Sequence, residues 1–194
     1  MKIINYLITL VFIFITLGCG IQAIPKAKNE VEATWAEVLN QYKRRADLVP
    51  NLVETVKGYA SHEKSTLEGV VEARSKALNQ NITIENLNEE TLKNFQNAQR
   101  GLSQALSKLL VIVERYPDLK ASQNFRDLQS QLEGTENRIT VARKRYIESI
   151  KEFNNLVTVI PTSWTNSIFF HLAKMPQFAP EDEETIKVAP KVKF

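Results

Sequence analysis

Apolar residues recur at every third or fourth position over most of the chain, a rhythm that predicts an all-α protein. From Asn29 to Ala77 the stripe runs through Val31, Trp35, Val38, Leu39, Tyr42 and Ala46. It continues through Val49, Leu52, Val53, Val56, Tyr59 and Ala60, and finishes on Leu67, Val70 and Val71. Pro50 interrupts it. Proline inside a helix forfeits a hydrogen bond and clashes with the carbonyl four residues back, yet the stripe persists on both sides. The pattern therefore predicts one long helix kinked at Pro50, or two helices in tandem, with Asp47 placed to cap the second part.

Residues 78–86 read as a connector, and Asn86-Leu87-Asn88-Glu89 has the form of a capping box. The next helix carries Leu92, Phe95, Gln99, Leu102, Leu106, Leu109, Val113 and Tyr116 in alternating steps of three and four, until Pro117 stops it. A third helix, with Ser122 or Asp118 as its cap, repeats the spacing through Phe125, Leu128, Leu132, Thr135, Ile139, Ala142, Tyr146, Ser149, Phe153, Leu156 and Ile160, and Pro161 ends it. Seams of this kind pair knobs into holes as in a coiled coil, and the short connection between helices two and three makes them antiparallel neighbours. The expected architecture is an elongated antiparallel helical bundle of three long helices, the first kinked at Pro50, plus a short C-terminal helix. That last helix is capped by Thr162 or Ser163. It carries Trp164, Ile168, Phe169 and Leu172 on one face, widened by Phe170. Two readings of it compete: it closes the end of the bundle, or it lies in a membrane interface with Lys174 snorkelling.

Ahead of the bundle, Lys2 precedes a fifteen-residue apolar run, Ile3 to Leu17. In a helix that is ~23 Å, short of a ~30 Å hydrocarbon core, and fits a signal-peptide core better than a membrane span. The run ends in Thr16-Leu17-Gly18-Cys19-Gly20, which resembles a bacterial lipobox with Thr16 in place of leucine and Leu17 in place of a small residue. On that reading Cys19 is lipidated, and acyl chains at ~0.8 kcal/mol per methylene hold the protein on a bilayer. The rival is an uncleaved span of about 22 residues that extends the run through Ile21, Ala23 and Ile24. Flanking charge does not separate the two, because Lys2 on one side faces Lys26 and Lys28 on the other. The expected organisation is a leader at 1–18, a linker at 19–28, a bundle domain at 29–175 and a flexible tail at 176–194. The tail's three prolines, its acid run Glu181 to Glu184 and Lys187, Lys191 and Lys193 cannot bury a core.

Charge and composition narrow the chemistry. Lys2 departs with the leader, so 24 basic side chains face 22 acidic ones, a balance of +2 that argues against nucleic acid as a partner. The five glycines beyond Gly18 are scattered singly and build no phosphate-cradling loop. Cys19 is the only cysteine, so neither a disulfide nor a thiol nucleophile is available to the body. His62 lacks a second histidine four residues on, and His171 is over a hundred residues away. Asn81-Ile82-Thr83 has the form of a glycosylation sequon but reads as an ordinary loop. No cofactor, metal site or small-molecule substrate is expected. The richest polar stretch is Lys43, Arg44, Arg45, Asp47, Pro50, Asn51 and Glu54, where a structural role competes with docking of a partner. A second cluster, Glu136, Asn137, Arg138 and Arg143, adjoins Thr135. Because buried polar groups must be hydrogen-bonded, this layer is expected to meet the Arg44–Asp47 region across the bundle and fix its register.

Several blocks resemble the LemA family. They are Gln41 to Ala60, Glu72-Ala73-Arg74, Glu114 to Ala121, Gly134 to Ile139 with Ala142-Arg143, and the closing Ala189-Pro190-Lys191-Val192. The chain departs from the family in ending on Lys193-Phe194 where Asp-Phe is usual. The resemblance covers nearly everything after the leader. It implies an all-α antiparallel bundle tethered to a bacterial membrane by its N-terminus. It implies no enzyme, and no substrate or cofactor that can be carried onto these positions. The expectation is therefore a membrane-anchored scaffold or adaptor of the bacterial envelope, on the extracytoplasmic side, with an envelope protein as partner. A membrane-remodelling module that uses residues 162–174 is the alternative.

Overall fold

The computed structural model describes residues 2–80 and 82–178, with side chains described from Ile21 onward. The lipidation of Cys19, the Asn81 sequon and the tail beyond Phe178 lie outside these. The elements in chain order are α1 (Lys2–Lys57), α2 (Lys64–Leu78), α3 (Glu89–Val113), α4 (Pro117–Ala121), α5 (Gln123–Thr158) and α6 (Thr162–Thr165), followed by a π-type turn at Asn166–Phe170. The described residues form no strand, and the long helices pack on one another, as the periodicity requires.

Side-chain contacts fix the directions. Along α1, Trp35 and Tyr42 both meet Phe95, and Arg45 meets Gln99 and Ser103, so α3 runs parallel to α1. Thr34 meets Ser149 and Arg45 meets Glu136, so α5 runs antiparallel to both. Arg74 reaches Ala46, and Glu63 reaches Arg115 and Tyr116, so α2 runs against α1 and α3. One end, the base, holds Ile21 and α6. The far end holds the turn at 58–63 and the α3–α4–α5 corner.

The first predicted helix differs from expectation. α1 continues through both Pro25 and Pro50, as the first of the two expected forms has it, but it ends at Lys57 and does not run on to Ala77. The reversal comes at 58–63, where Ala60 N–H closes on the Val56 carbonyl and Glu63 N–H on that of Ala60. Residues 64–78 then fold back as a fourth, shorter helix. Pro50 is tolerated because it lies on the solvent side, where the lost amide bond leaves only one carbonyl, that of Ala46, to be satisfied. Arg74 of α2 donates to it through Nε at 2.8 Å. Asp47 therefore caps nothing. Its carboxylate lies 3.8 Å from the same guanidinium.

The expected linker at 19–28 is helical, and Ile24 and Ala27 are buried in the core at the base. The chain also stays on the bundle beyond residue 175. Asn154 brackets Met175, accepting from its N–H at 2.9 Å and donating to its carbonyl at 3.0 Å, and Phe178 is buried against Trp35 and Tyr146. The capping box sits two residues later than predicted. Asn88 caps α3, accepting from Thr91 N–H while its own N–H donates to the Thr91 hydroxyl, both at 2.9 Å. The Asn86 side chain instead closes the preceding turn on Thr83 N–H.

The predicted α3 seam from Leu92 to Val113 is buried throughout. The α5 seam holds as far as Phe153, but Ile150 and then Val157 join the buried face, and Ile160 is exposed. A straight helix drifts ~20° per heptad from a strict seven-residue repeat, and the drift moves the buried face. Tyr59 and Val71 are exposed because the reversal at 58–63 takes them off the stripe.

The core is divided in two. A base half gathers Ile24, Trp35, Tyr42, Phe95, Tyr146 and Phe153, and a far half gathers Val49, Leu52, Leu102, Leu109, Leu119 and Phe125. Tyr146 OH is buried without a hydrogen-bond partner among the described residues, and burial pushes its phenol well above the usual range. Removing an orphaned buried hydroxyl relieves its desolvation cost, so Tyr146→Phe is expected to raise stability by about 1 kcal/mol. The contribution has a sign in pH: a phenol held neutral in the fold stabilises fully below its unfolded pKa of about 10 and progressively less above it. The urea midpoint should fall less steeply across that pH in the variant than in the natural protein. A fall in midpoint on substitution would show that the hydroxyl has a partner.

Candidate functional site

A polar layer separates the two core halves, and Arg45 is its centre. Its side chain is only 2% exposed. Nη1 donates to Ser103 Oγ at 2.9 Å and to Glu136 Oε1 at 2.5 Å. Nη2 donates to Gln99 Oε1 at 2.9 Å and to the Gln99 carbonyl at 3.2 Å. Gln99 in turn donates through Nε2 to the Ala77 carbonyl at the end of α2. One arginine thereby ties α1 to α3 and α5 directly and to α2 through a single intermediary. Thr135 completes the layer, buried and bonded back to the Leu132 carbonyl.

The expected meeting of the two polar clusters therefore occurs, through Arg45 and Glu136. Arg143 lies in the same cleft, and the remaining residues are elsewhere. Asn137 and Arg138 face solvent on α5. Of the stretch proposed for partner docking, Arg45 is in the core, whereas Lys43, Arg44, Asp47, Pro50, Asn51 and Glu54 are exposed along α1.

Above Arg45, the walls of α3 and α5 leave a cleft of about 330 Å³. Tyr42, Arg45, Gln99, Arg100, Glu136 and Arg143 line it. Among the described residues, three guanidinium groups from three helices thus face one carboxylate. Arg45 Nε is buried with no hydrogen-bond partner, and Arg100 is exposed with no bonding partner among the described residues. Arg143 lies over the Phe178 ring at 4.7 Å and hydrogen-bonds Tyr42. The Tyr42 phenol is pushed up by burial, against the opposing pull of Arg143 and Arg45. The arrangement is suited to holding carboxylates. It contains no nucleophile–base pair, and among the described residues no three His, Cys, Asp or Glu side chains gather as metal ligands would. Arg100 and Phe178 escaped the sequence reading. Gln99 and Thr135, polar residues on otherwise apolar seams, were the signal that a polar layer crosses the bundle.

A second feature lies at the base. Val159, Ile160, Trp164, Ile168 and Phe169 are each more than half exposed, at the end of the molecule where α6 packs on α1 near the exposed Ile21. Phe170 and Leu172 turn the other way and pack on the core. The segment thus both closes the bundle and presents an apolar edge, and Leu172 belongs to the closing part. Among the fully described residues no helix is long and apolar enough to cross a membrane, and the run Ile3 to Leu17 lies outside them.

The sequence model of the LemA family matches residues 34–194. The chain is similar to Protein LemA of Metamycoplasma hominis, with 25% identity over 158 residues that cover 81% of this chain and 67% of that protein. The matched region takes in the whole Arg45 layer. In space, the family block containing Arg45 meets the block containing Glu136, and the turn after Lys57 meets the block around Arg115.

Proposed function

The chain belongs to the LemA family, and from that premise we propose that it is a membrane-anchored helical scaffold of the bacterial envelope. The apolar run that ends at Cys19 anchors it, and the edge formed by Val159, Ile160, Trp164, Ile168 and Phe169 rests on the bilayer. The observation that carries this reading is the position of that edge. Five exposed apolar side chains lie at the same end as Ile21, the point from which α1 leads back into the apolar run. Exposed apolar patches on one face mark interaction surfaces, and tryptophan suits the boundary between headgroups and acyl chains.

The rest of the molecule supports the role of a spacer. α5 has 36 residues, about 54 Å of helix. A bundle of that length, seated on its base, carries the turn at 58–63 and the α3–α4–α5 corner far from the surface. The partner is another envelope protein, met along the exposed stripe of Lys43, Arg44, Asp47, Pro50, Asn51 and Glu54. A membrane-remodelling wedge fits less well. The apolar edge is made by the α5–α6 junction, one short helix and a π-type turn, the last two packed on α1, and not by a long free amphipathic helix.

Residues 21–194, without the apolar run, are expected to sediment with anionic phospholipid vesicles. Replacing Trp164, Ile168 and Phe169 together by glutamate should weaken the partition by at least about tenfold, since each buried apolar side chain contributes on the order of 1.5–3 kcal/mol. Residues 21–194 that stay in the supernatant at every lipid concentration would remove the bilayer contact from this account.

A further inference from the structure

The cleft over Arg45 is a built site for acid groups, and the chain supplies a candidate at the right place. We propose that the cleft is a carboxylate-binding site whose occupant is the chain's own acidic run, Glu181-Asp182-Glu183-Glu184.

Charge is the first argument. Among the described residues that line the cleft, Glu136 is the one acid beside Arg45, Arg100 and Arg143. The Glu136 carboxylate accepts one of the Nη1 bonds of Arg45, while Nε of that buried guanidinium and the whole of Arg100 have no partner among the described residues. A guanidinium presents a fork of donors matched to carboxylates.

The path of the chain is the second. Met175 is bracketed by Asn154, and three residues later Phe178 lies against Tyr146 and Arg143. Asn154 to Tyr146 is eight residues of α5, about 12 Å. Three residues that cover this distance are near full extension at about 3.3–3.6 Å each. The chain is thus climbing α5 in the direction of decreasing residue number. The next α5 positions on that course are Arg143, Thr140, Ile139 and Glu136, all of which line the cleft. Glu181 to Glu184 lie three to six residues beyond Phe178, a reach of about 10–20 Å at the same rise. Pro180 disfavours a helical conformation at Ala179 and so suits an extended course.

Tethering is the third. Exposed ion pairs are individually weak. A segment held three residues from a buried phenylalanine, however, meets the cleft at a millimolar effective concentration, so weak pairs suffice.

Disulfide trapping in the full chain, purified in detergent, tests the proposal. Thr140→Cys, in the cleft wall, is paired with Glu183→Cys. The control pairs Lys144→Cys, exposed one turn further along α5 and outside the cleft lining, with Glu183→Cys. Peptide mass spectrometry separates these links from any made by Cys19. The cleft pair is expected to close at least about fivefold faster than the control pair, within one chain, as the local concentration argument requires. The preference should vanish on Arg100→Gln, which breaks no bond of the fold, and in about 0.5 M salt, which screens exposed charges. Equal rates for the two pairs would overturn the proposal, as would a preference that survives Arg100→Gln. A link formed between chains rather than within one would assign the cleft to another molecule's acidic segment, and would overturn it also.

Discussion

Glu136→Ala is expected to destabilise the protein by about 2–4 kcal/mol, and Arg45→Met by only about 1–2 kcal/mol. The asymmetry follows from burial. Glu136 is 52% exposed and its carboxylate can hydrate when its partner is gone, whereas Arg45 is 2% exposed and cannot. Removal of the acid strands a cation in the core with only the neutral acceptors Ser103 and Gln99. Removal of the cation in favour of a side chain of similar length leaves Gln99 Oε1 short of a donor but no charge uncompensated. The double variant should therefore lie within about 0.5 kcal/mol of Arg45→Met alone, because the second change acts on a group that no longer has a partner. Urea unfolding followed by far-ultraviolet circular dichroism measures all three. If Arg45→Met proved the more damaging single change, Arg45 would be acting chiefly as packing and not as the tie between helices.

The second large effect concerns the proline in α1. Arg74→Ala is expected to cost about 1–2 kcal/mol, the range for a charge-assisted bond whose loss leaves a part-buried carbonyl short of a donor. The carbonyl of Ala46 needs Arg74 only because residue 50 has no N–H to offer it. Pro50→Ala restores that donor, so Arg74→Ala should cost about 1 kcal/mol less in the alanine background than in the natural one. Equal costs in the two backgrounds would separate the arginine from the proline. The pairing also explains why the polar stretch around Pro50 looked like a docking site in the sequence: one of its features, the freed carbonyl, is answered from another helix 28 residues away.

The bundle was largely legible because its seams are regular. Leu92 to Val113 could be assigned residue by residue, and the family resemblance of the blocks around Arg45 and Glu136 pointed the same way. The reversal at 58–63 was not legible. α1 and α2 turn their apolar faces to the same core, so the stripe reads on through the fold-back as if the helix had continued, while the visible interruption, Pro50, lies inside an unbroken α1. The start of the tail was missed for a different reason. Pro176, Gln177 and Phe178 lie in a polar, proline-rich context, and only the surface formed by Trp35, Tyr146 and Arg143 gives Phe178 somewhere to go. The cleft could not be read from local pattern at all, since its three arginines come from three helices and are separated by dozens of residues.

The central claim is that the bundle stands on a bilayer on one particular edge. Spin labels placed singly at Ile168 and at Tyr59 in the full chain, reconstituted into phospholipid vesicles, test it most directly. The label at 168 should collide preferentially with oxygen dissolved in the lipid, and the label at 59, at the far end, with a water-soluble nickel chelate. Equal access of the nickel chelate to both positions would contradict the account.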